Sequence, residues 1–95
     1  MLTPVYTKRF GKDLKRMIRR GGEPDHFKAV MRTMIEGNLL DRKYRDHALI
    51  GNFRDRQECH IETDWLLIYR IDNFRIIFER TGTHADLFRK AKIRS

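Results

Sequence analysis

Three of the four histidines of this 95-residue chain, His47, His60 and His84, fall from about its midpoint onward, together with Asp64, Trp65, Arg80 and Phe88. The densest stretch is Glu58-Cys59-His60-Ile61-Glu62-Thr63-Asp64-Trp65, which sets one histidine, three carboxylates and a tryptophan in a tight connection between two strand-like runs. An imidazole with a free pKa of about 6.5 gives or takes a proton at neutral pH, and a carboxylate such as Asp64 can hold its tautomer. Arg80 carries a permanent charge on a planar fork suited to phosphate oxygens. Trp65 or Phe88 could stack on a base splayed from single-stranded RNA. A base, an acid and a fixed cation are what attack of a ribose 2′-hydroxyl on its own phosphate requires, and that reaction needs no cofactor.

Each piece has a plainer reading. A lone His60 is more often a surface or hairpin histidine, and His26, on the polar side of a helix, belongs to that class. Asp64 is a natural turn residue. Trp65 and Phe88 serve as well in packing, and Arg80 could pair with Glu79. A metal site from the histidines and Asp64 is conceivable, but no His-x-x-x-His pair or cysteine pair supports one, and none is expected. On these residues alone, a ribonuclease leads a binding module by a small margin.

The elements that must position them follow from periodicity. Pro4 to Thr7 reads as a short strand, and Thr7 can cap a helix from Lys8 to Arg20 whose apolar face is Phe10, Leu14, Met17 and Ile18. Its other faces carry Lys8, Arg9, Lys12, Lys15 and Arg16, a set that could guide a phosphate backbone without reading sequence. Gly21-Gly22 ends this helix, and Pro24 opens a second with Phe27, Val30, Met31, Met34 and Ile35 inward. Strands are expected over His47 to Ile50, Arg54 to Glu62, Trp65 to Ile71 and Phe74 to Arg80, with Asp72-Asn73 as a hairpin and a break at Thr81-Gly82-Thr83. Apolar residues on both faces of Trp65 to Ile71 predict a central strand, and alternation puts His60 opposite Cys59 and Ile61. Thr83 can cap a last helix from His84 to about Lys90. The fold class is α+β: an N-terminal strand and two helices packed on one face of a twisted antiparallel sheet, in one domain spanning 1–95.

Composition narrows the partners. Twenty-one Lys and Arg against thirteen Asp and Glu give a formal charge of +8, which favours polyanions, nucleic acid first and an acidic protein second. Cys59 stands alone, so an intrachain disulfide is excluded and a reducing, cytoplasmic setting is the expectation. No apolar run approaches the length of a signal-peptide core or membrane span, so no membrane partner is expected.

Three blocks carry a resemblance: His47-Ala48-Leu49-Ile50-Gly51-Asn52, Arg56-Gln57-Glu58-Cys59-His60-Ile61-Glu62-Thr63-Asp64-Trp65-Leu66-Leu67-Ile68-Tyr69 and Arg80-Thr81-Gly82-Thr83-His84-Ala85-Asp86-Leu87-Phe88. Together they resemble the YafQ-type toxins of the RelE/ParE superfamily, and the element order and length fit as well. The resemblance implies a type II toxin–antitoxin endoribonuclease that cuts translated mRNA in the ribosomal A site and arrests growth. It implies a catalytic set at His47, His60, Asp64, Arg80, His84 and Phe88, with Trp65 adjoining. In that reading His60 and His84 move protons with Asp64 in support, His47 positions the scissile group, Arg80 meets the transition-state charge, and Phe88 meets a base or walls the site. The implied partners are the ribosome with its mRNA and an acidic antitoxin of the DinJ or RelB type, through which operator DNA is contacted indirectly. Asn52-Phe53-Arg54 and Thr63 stand where relatives often differ, which bears on codon preference. Two rivals remain: a ParE-like toxin that binds DNA gyrase, and a non-catalytic RNA- or antitoxin-binding module.

Overall fold

Thr7 ties the first helix to the sheet from both sides of its hydroxyl. The oxygen accepts from the Phe10 N–H at 3.0 Å, capping helix α1 (Lys8–Arg19), and donates to the Glu79 carbonyl, also at 3.0 Å. The structure, a computed structural model, describes residues 1–49 and 55–88. The expected strand end at Ile50, the turn at Gly51-Asn52, the departures at Asn52-Phe53-Arg54 and the C-terminal tail lie outside the described residues.

Strand β1 (Thr3–Tyr6) precedes α1, and helix α2 (Pro24–Ile35) follows it, with Pro24 in its first turn. A 3₁₀ turn (Arg42–Tyr44) leads to β2 (His47–Ala48), β3 (Gln57–Glu62), β4 (Trp65–Asp72) and β5 (Arg75–Gly82). The sheet order is β1-β5-β4-β3-β2. The last four strands form the antiparallel meander expected from the sequence, and β1 joins it parallel to β5, making the sheet mixed. Residues 84–88 are helical.

Burial follows the alternation in β4. Trp65, Leu67 and Tyr69 face the helices, where Phe10, Met17, Phe27, Val30 and Met34 close over them with Cys59, Ile61, Ile76 and Phe78. Leu66 and Ile68 face the other way and are covered by Leu87 and, in part, by Leu49 and Phe88. Five consecutive buried residues, Trp65 to Tyr69, confirm the central position. Each large apolar side chain so buried contributes roughly 1.5–3 kcal/mol. Gly22 is required where it stands, because a Cβ there would lie 2.7 Å from the Trp65 ring.

The end of β5 differs from expectation. The strand predicted to break at Thr81 continues, since Thr81 and Gly82 pair with Leu67 and Leu66. A bulge lies between the pairs Tyr69–Phe78 and Ile68–Arg80, leaving Glu79 as the extra residue on β5. β1 ends opposite Phe78, so the outer edge of β5 beyond it is open to α1. There the buried Asp13 accepts from the Thr81 N–H at 3.2 Å and acts as a substitute strand partner. Ile71, expected on the Trp65 face, is 55% exposed near the far end of β4. No helix among the described residues is long and apolar enough to cross a membrane.

Candidate active site

The sheet face away from α1 and α2 collects His47, His60 and His84. Alternation in β3 points Glu58 and His60 to that face while Cys59 and Ile61 enter the core, and β2 pairs His47 directly opposite Glu58. One oxygen of the buried Glu58 carboxylate then lies 3.3 Å from His47 Nε2 and 3.2 Å from His60 Nε2. A carboxylate only accepts, so each contact is a hydrogen bond when that Nε2 carries the proton. His47 Nδ1 faces a second acceptor, the Arg45 carbonyl, at 2.7 Å. A neutral imidazole can donate to one of these two acceptors, and the imidazolium donates to both.

The row continues into the segment after β5. Ring centroids of His47 and His60 are 6.1 Å apart, those of His60 and His84 5.7 Å, and those of His84 and Phe88 6.5 Å. His84 is set by Asp64 in the β3–β4 turn: Asp64 Oδ1 accepts from the His84 backbone N–H at 2.8 Å and from Nδ1 at 2.6 Å. These bonds, the backbone one foremost, hold the Asp64 carboxyl below the usual carboxylate range. With Nδ1–H committed, His84 Nε2 is the atom left for proton exchange. Thr83 and Asp86 form a reciprocal cap, each backbone N–H donating to the other's side chain at 3.0 and 3.1 Å, which starts the helical segment at His84 as expected. Partial burial works to raise the Asp86 pKa, but hydrogen bonds from Arg20 and Thr83 outweigh it and bring the carboxyl to about 2.

Other expected residues lie elsewhere. Trp65 does not offer a stacking surface: it is 2% exposed, its ring lies 5.0 Å from that of Phe27, and its N–H donates to the Thr81 hydroxyl at 2.9 Å. This corrects the substrate-binding expectation, because its place in the alternation of β4 aims it at the helices. Arg80 does not pair with Glu79, which takes Arg56 and Arg70 instead. Its Nε donates to Asp13 at 2.7 Å, and with Arg9, Arg16 and Arg20 it lines a cleft of about 530 Å³ beside the 84–88 segment. Of the basic set on α1, Arg9 and Arg16 therefore face this cleft, while Lys8, Lys12 and Lys15 are exposed outside it. The imidazole of His26 meets the Tyr44 hydroxyl at 3.2 Å.

Chemically, the row offers imidazoles at spacings that bracket one phosphodiester, with carboxylates behind them. His47, Glu58 and His60 each also offer a donor atom within 4.8 Å of the others, the one group among the described residues that fits a metal ion. Glu58 and Asp13 were not singled out in the sequence. The i, i+2 spacing of Glu58 and His60 was the available signal for the first; no local pattern marks Asp13, whose partners lie 67 and 68 positions away.

Comparisons with known proteins agree with this fold. Residues 2–89 match the family described as "Bacterial toxin of type II toxin-antitoxin system, YafQ". The mRNA interferase toxin YafQ of Escherichia coli K12 is 38% identical over 84 residues, covering 87% of this chain and 91% of that protein. The E. coli DinJ–YafQ complex superposes with a TM-score of 0.86 at 35% identity, over 93% of this chain and 99% of that one. A metal-bound toxin from Helicobacter pylori gives 0.86 at 36% identity, over 93% and 100%. With its sequence matched from end to end of the described fold and its architecture shared, the chain belongs to the YafQ family of bacterial type II toxin–antitoxin toxins.

Proposed function

We propose that this chain is an mRNA interferase that enters the ribosomal A site and cuts translated mRNA by acid–base catalysis. The observation that carries the reading is the row of His47, His60 and His84, with neighbouring rings 6.1 and 5.7 Å apart on one sheet face. One imidazole takes the 2′-hydroxyl proton as that oxygen attacks the adjacent phosphorus. Another protonates the 5′ oxygen as the P–O5′ bond breaks, leaving a 2′,3′-cyclic phosphate and a 5′-hydroxyl. Asp64 orients His84, Glu58 orients His47 and His60, and Phe88 flanks the row. Arg80 serves as part of the basic cleft that steadies phosphate charge near the site. The E. coli relative is named an mRNA interferase, which supports the same activity here.

The partner in this reading is an acidic antitoxin, since E. coli YafQ forms a complex with DinJ and this chain carries +8. The test is to induce the chain in bacteria and map new 5′ ends on mRNA with and without translation. Translation-dependent ends inside reading frames are expected. Inhibited DNA supercoiling with intact mRNA would instead favour a gyrase-binding toxin.

A further inference from the structure

His60 has a second neighbourhood. Besides the histidine row, it forms a wall of a cleft of about 400 Å³ whose other sides include His26 of α2, Lys43 and Tyr44 of the 3₁₀ turn, Arg45 just after it, and Glu62 at the end of β3. That volume lies within the range of small-molecule sites, roughly 300–1,000 Å³. The contents are those of a base-binding site. Tyr44 and His26 make an aromatic corner, with centroids 5.9 Å apart and planes inclined at 46°. Lys43 Nζ lies 5.2 Å from the Tyr44 ring centroid. The Glu62 side chain is 52% exposed, with its carboxylate 3.9 Å from His26 Nδ1.

The segment that builds this cleft also sets His47. Asp41 caps the turn by accepting from the Lys43 N–H at 2.9 Å, and the chain leaves it through Arg45 in the left-handed region at φ 51°. For a residue with a Cβ this conformation is held only by its surroundings. Here the Arg45 carbonyl is fixed by His47 Nδ1 at 2.7 Å. Tyr44 in the cleft and His47 in the row are thus two ends of one constrained turn.

We propose that this cleft is the subsite for the nucleobase adjoining the cut bond and that it favours guanine. The proposal rests on the reading of the histidine row as an RNA-cleaving site. A phosphate bracketed by His60 and its neighbours leaves an attached nucleotide within reach of the cleft, because His60 belongs to both. Tyr44 and His26 give the base an aromatic surface, and Lys43 and Arg45 meet its phosphate. Glu62 discriminates: the Watson–Crick edge of guanine carries two adjacent donors, N1–H and N2–H, which match two carboxylate oxygens. Adenine and cytosine present one donor beside an acceptor, and uracil one donor between two carbonyls, so each sets an acceptor against Glu62.

The test is cleavage in a reconstituted translation system, with competing mRNAs that differ only in the base on either side of the cut. The unsubstituted chain should favour guanine at one of these positions. Glu62→Gln should lower the guanine-to-adenine ratio of kcat/KM by about tenfold, the scale of one bidentate base contact. Tyr44→Leu, which keeps apolar volume against the core, should lower kcat/KM on all templates by about tenfold, chiefly through KM. Cleavage without base preference, or with the same preference in Glu62→Gln, overturns the subsite while leaving the histidine row standing. No cleavage by the unsubstituted chain overturns both.

Discussion

Asp64 Oδ1 takes two hydrogen bonds from one residue, His84, at 2.8 Å from its backbone N–H and 2.6 Å from its imidazole. The β3–β4 turn and the start of the 84–88 segment are thereby joined at the ring proposed to exchange a proton. Asp64→Asn can still accept from both donors through its amide oxygen, but it loses the charge that supports an imidazolium. The expected result is a fall in kcat of roughly 10- to 100-fold, below the full worth of a general acid or base. KM and the thermal midpoint should hardly change, because the pair is exposed; single-turnover cleavage with a melting curve checks this.

Glu58 should matter more than the sequence reading, which gave it no role, suggests. One oxygen of its buried carboxylate is shared by His47 and His60, so Glu58→Gln keeps an acceptor but removes the negative charge that supports an imidazolium at either ring. Activity should fall about 100-fold. The NMR signals of the His47 and His60 ring nitrogens should shift while those of His26 stay in place.

Asp13 closes the open edge of β5 and binds Arg80 at 2.7 Å. Asp13→Ala strands a half-buried guanidinium and an unpaired strand N–H together. The stability loss should be about 2–4 kcal/mol, readable in urea denaturation. A loss within 0.5 kcal/mol, the usual scatter for surface changes, would mean that Asp13 does not anchor the edge.

Acid should weaken the fold partly through Asp86. Its folded pKa, about 2, is depressed below the unfolded value of roughly 3.9, so its contribution is present above the unfolded pKa and disappears as pH falls towards 2. Asp86→Asn should flatten that part of the stability–pH curve. Denaturation midpoints measured from pH 5 down to 2 provide the check.

The His47–Glu58–His60 group gives a prediction about metals. An ion such as Zn²⁺ bound there would occupy ring nitrogens that the proposed reaction needs. Added Zn²⁺ should inhibit cleavage and a chelator should restore it, with Glu58→Ala weakening the zinc binding seen by calorimetry.

The fold was legible because its signals are local. Thr7, Pro24 and Thr83 mark helix starts at single residues, and the two-faced apolar run from Trp65 to Tyr69 marks a central strand. The parallel pairing of β1 with β5 was not, since it joins residues some seventy positions apart with no turn between them. In the candidate site, alternation correctly set His60 opposite Cys59. It also set Trp65 on the Leu67 and Tyr69 face, which contains the explanation for its burial: α1 and α2 cover that face. The pairing of Arg80 was not legible for a different reason. Its partner Asp13 comes from α1, and a bulge at Glu79 is not written in any local pattern.

The central claim is that His60 and His84 carry out the cleavage together. The most direct measurement compares mRNA 5′ ends in translating bacteria expressing the unsubstituted chain or the His60→Gln/His84→Gln double variant, after circular dichroism has shown that the variant folds. Cuts within reading frames should appear with the first and vanish with the second. Equal cutting by a folded double variant would contradict the account.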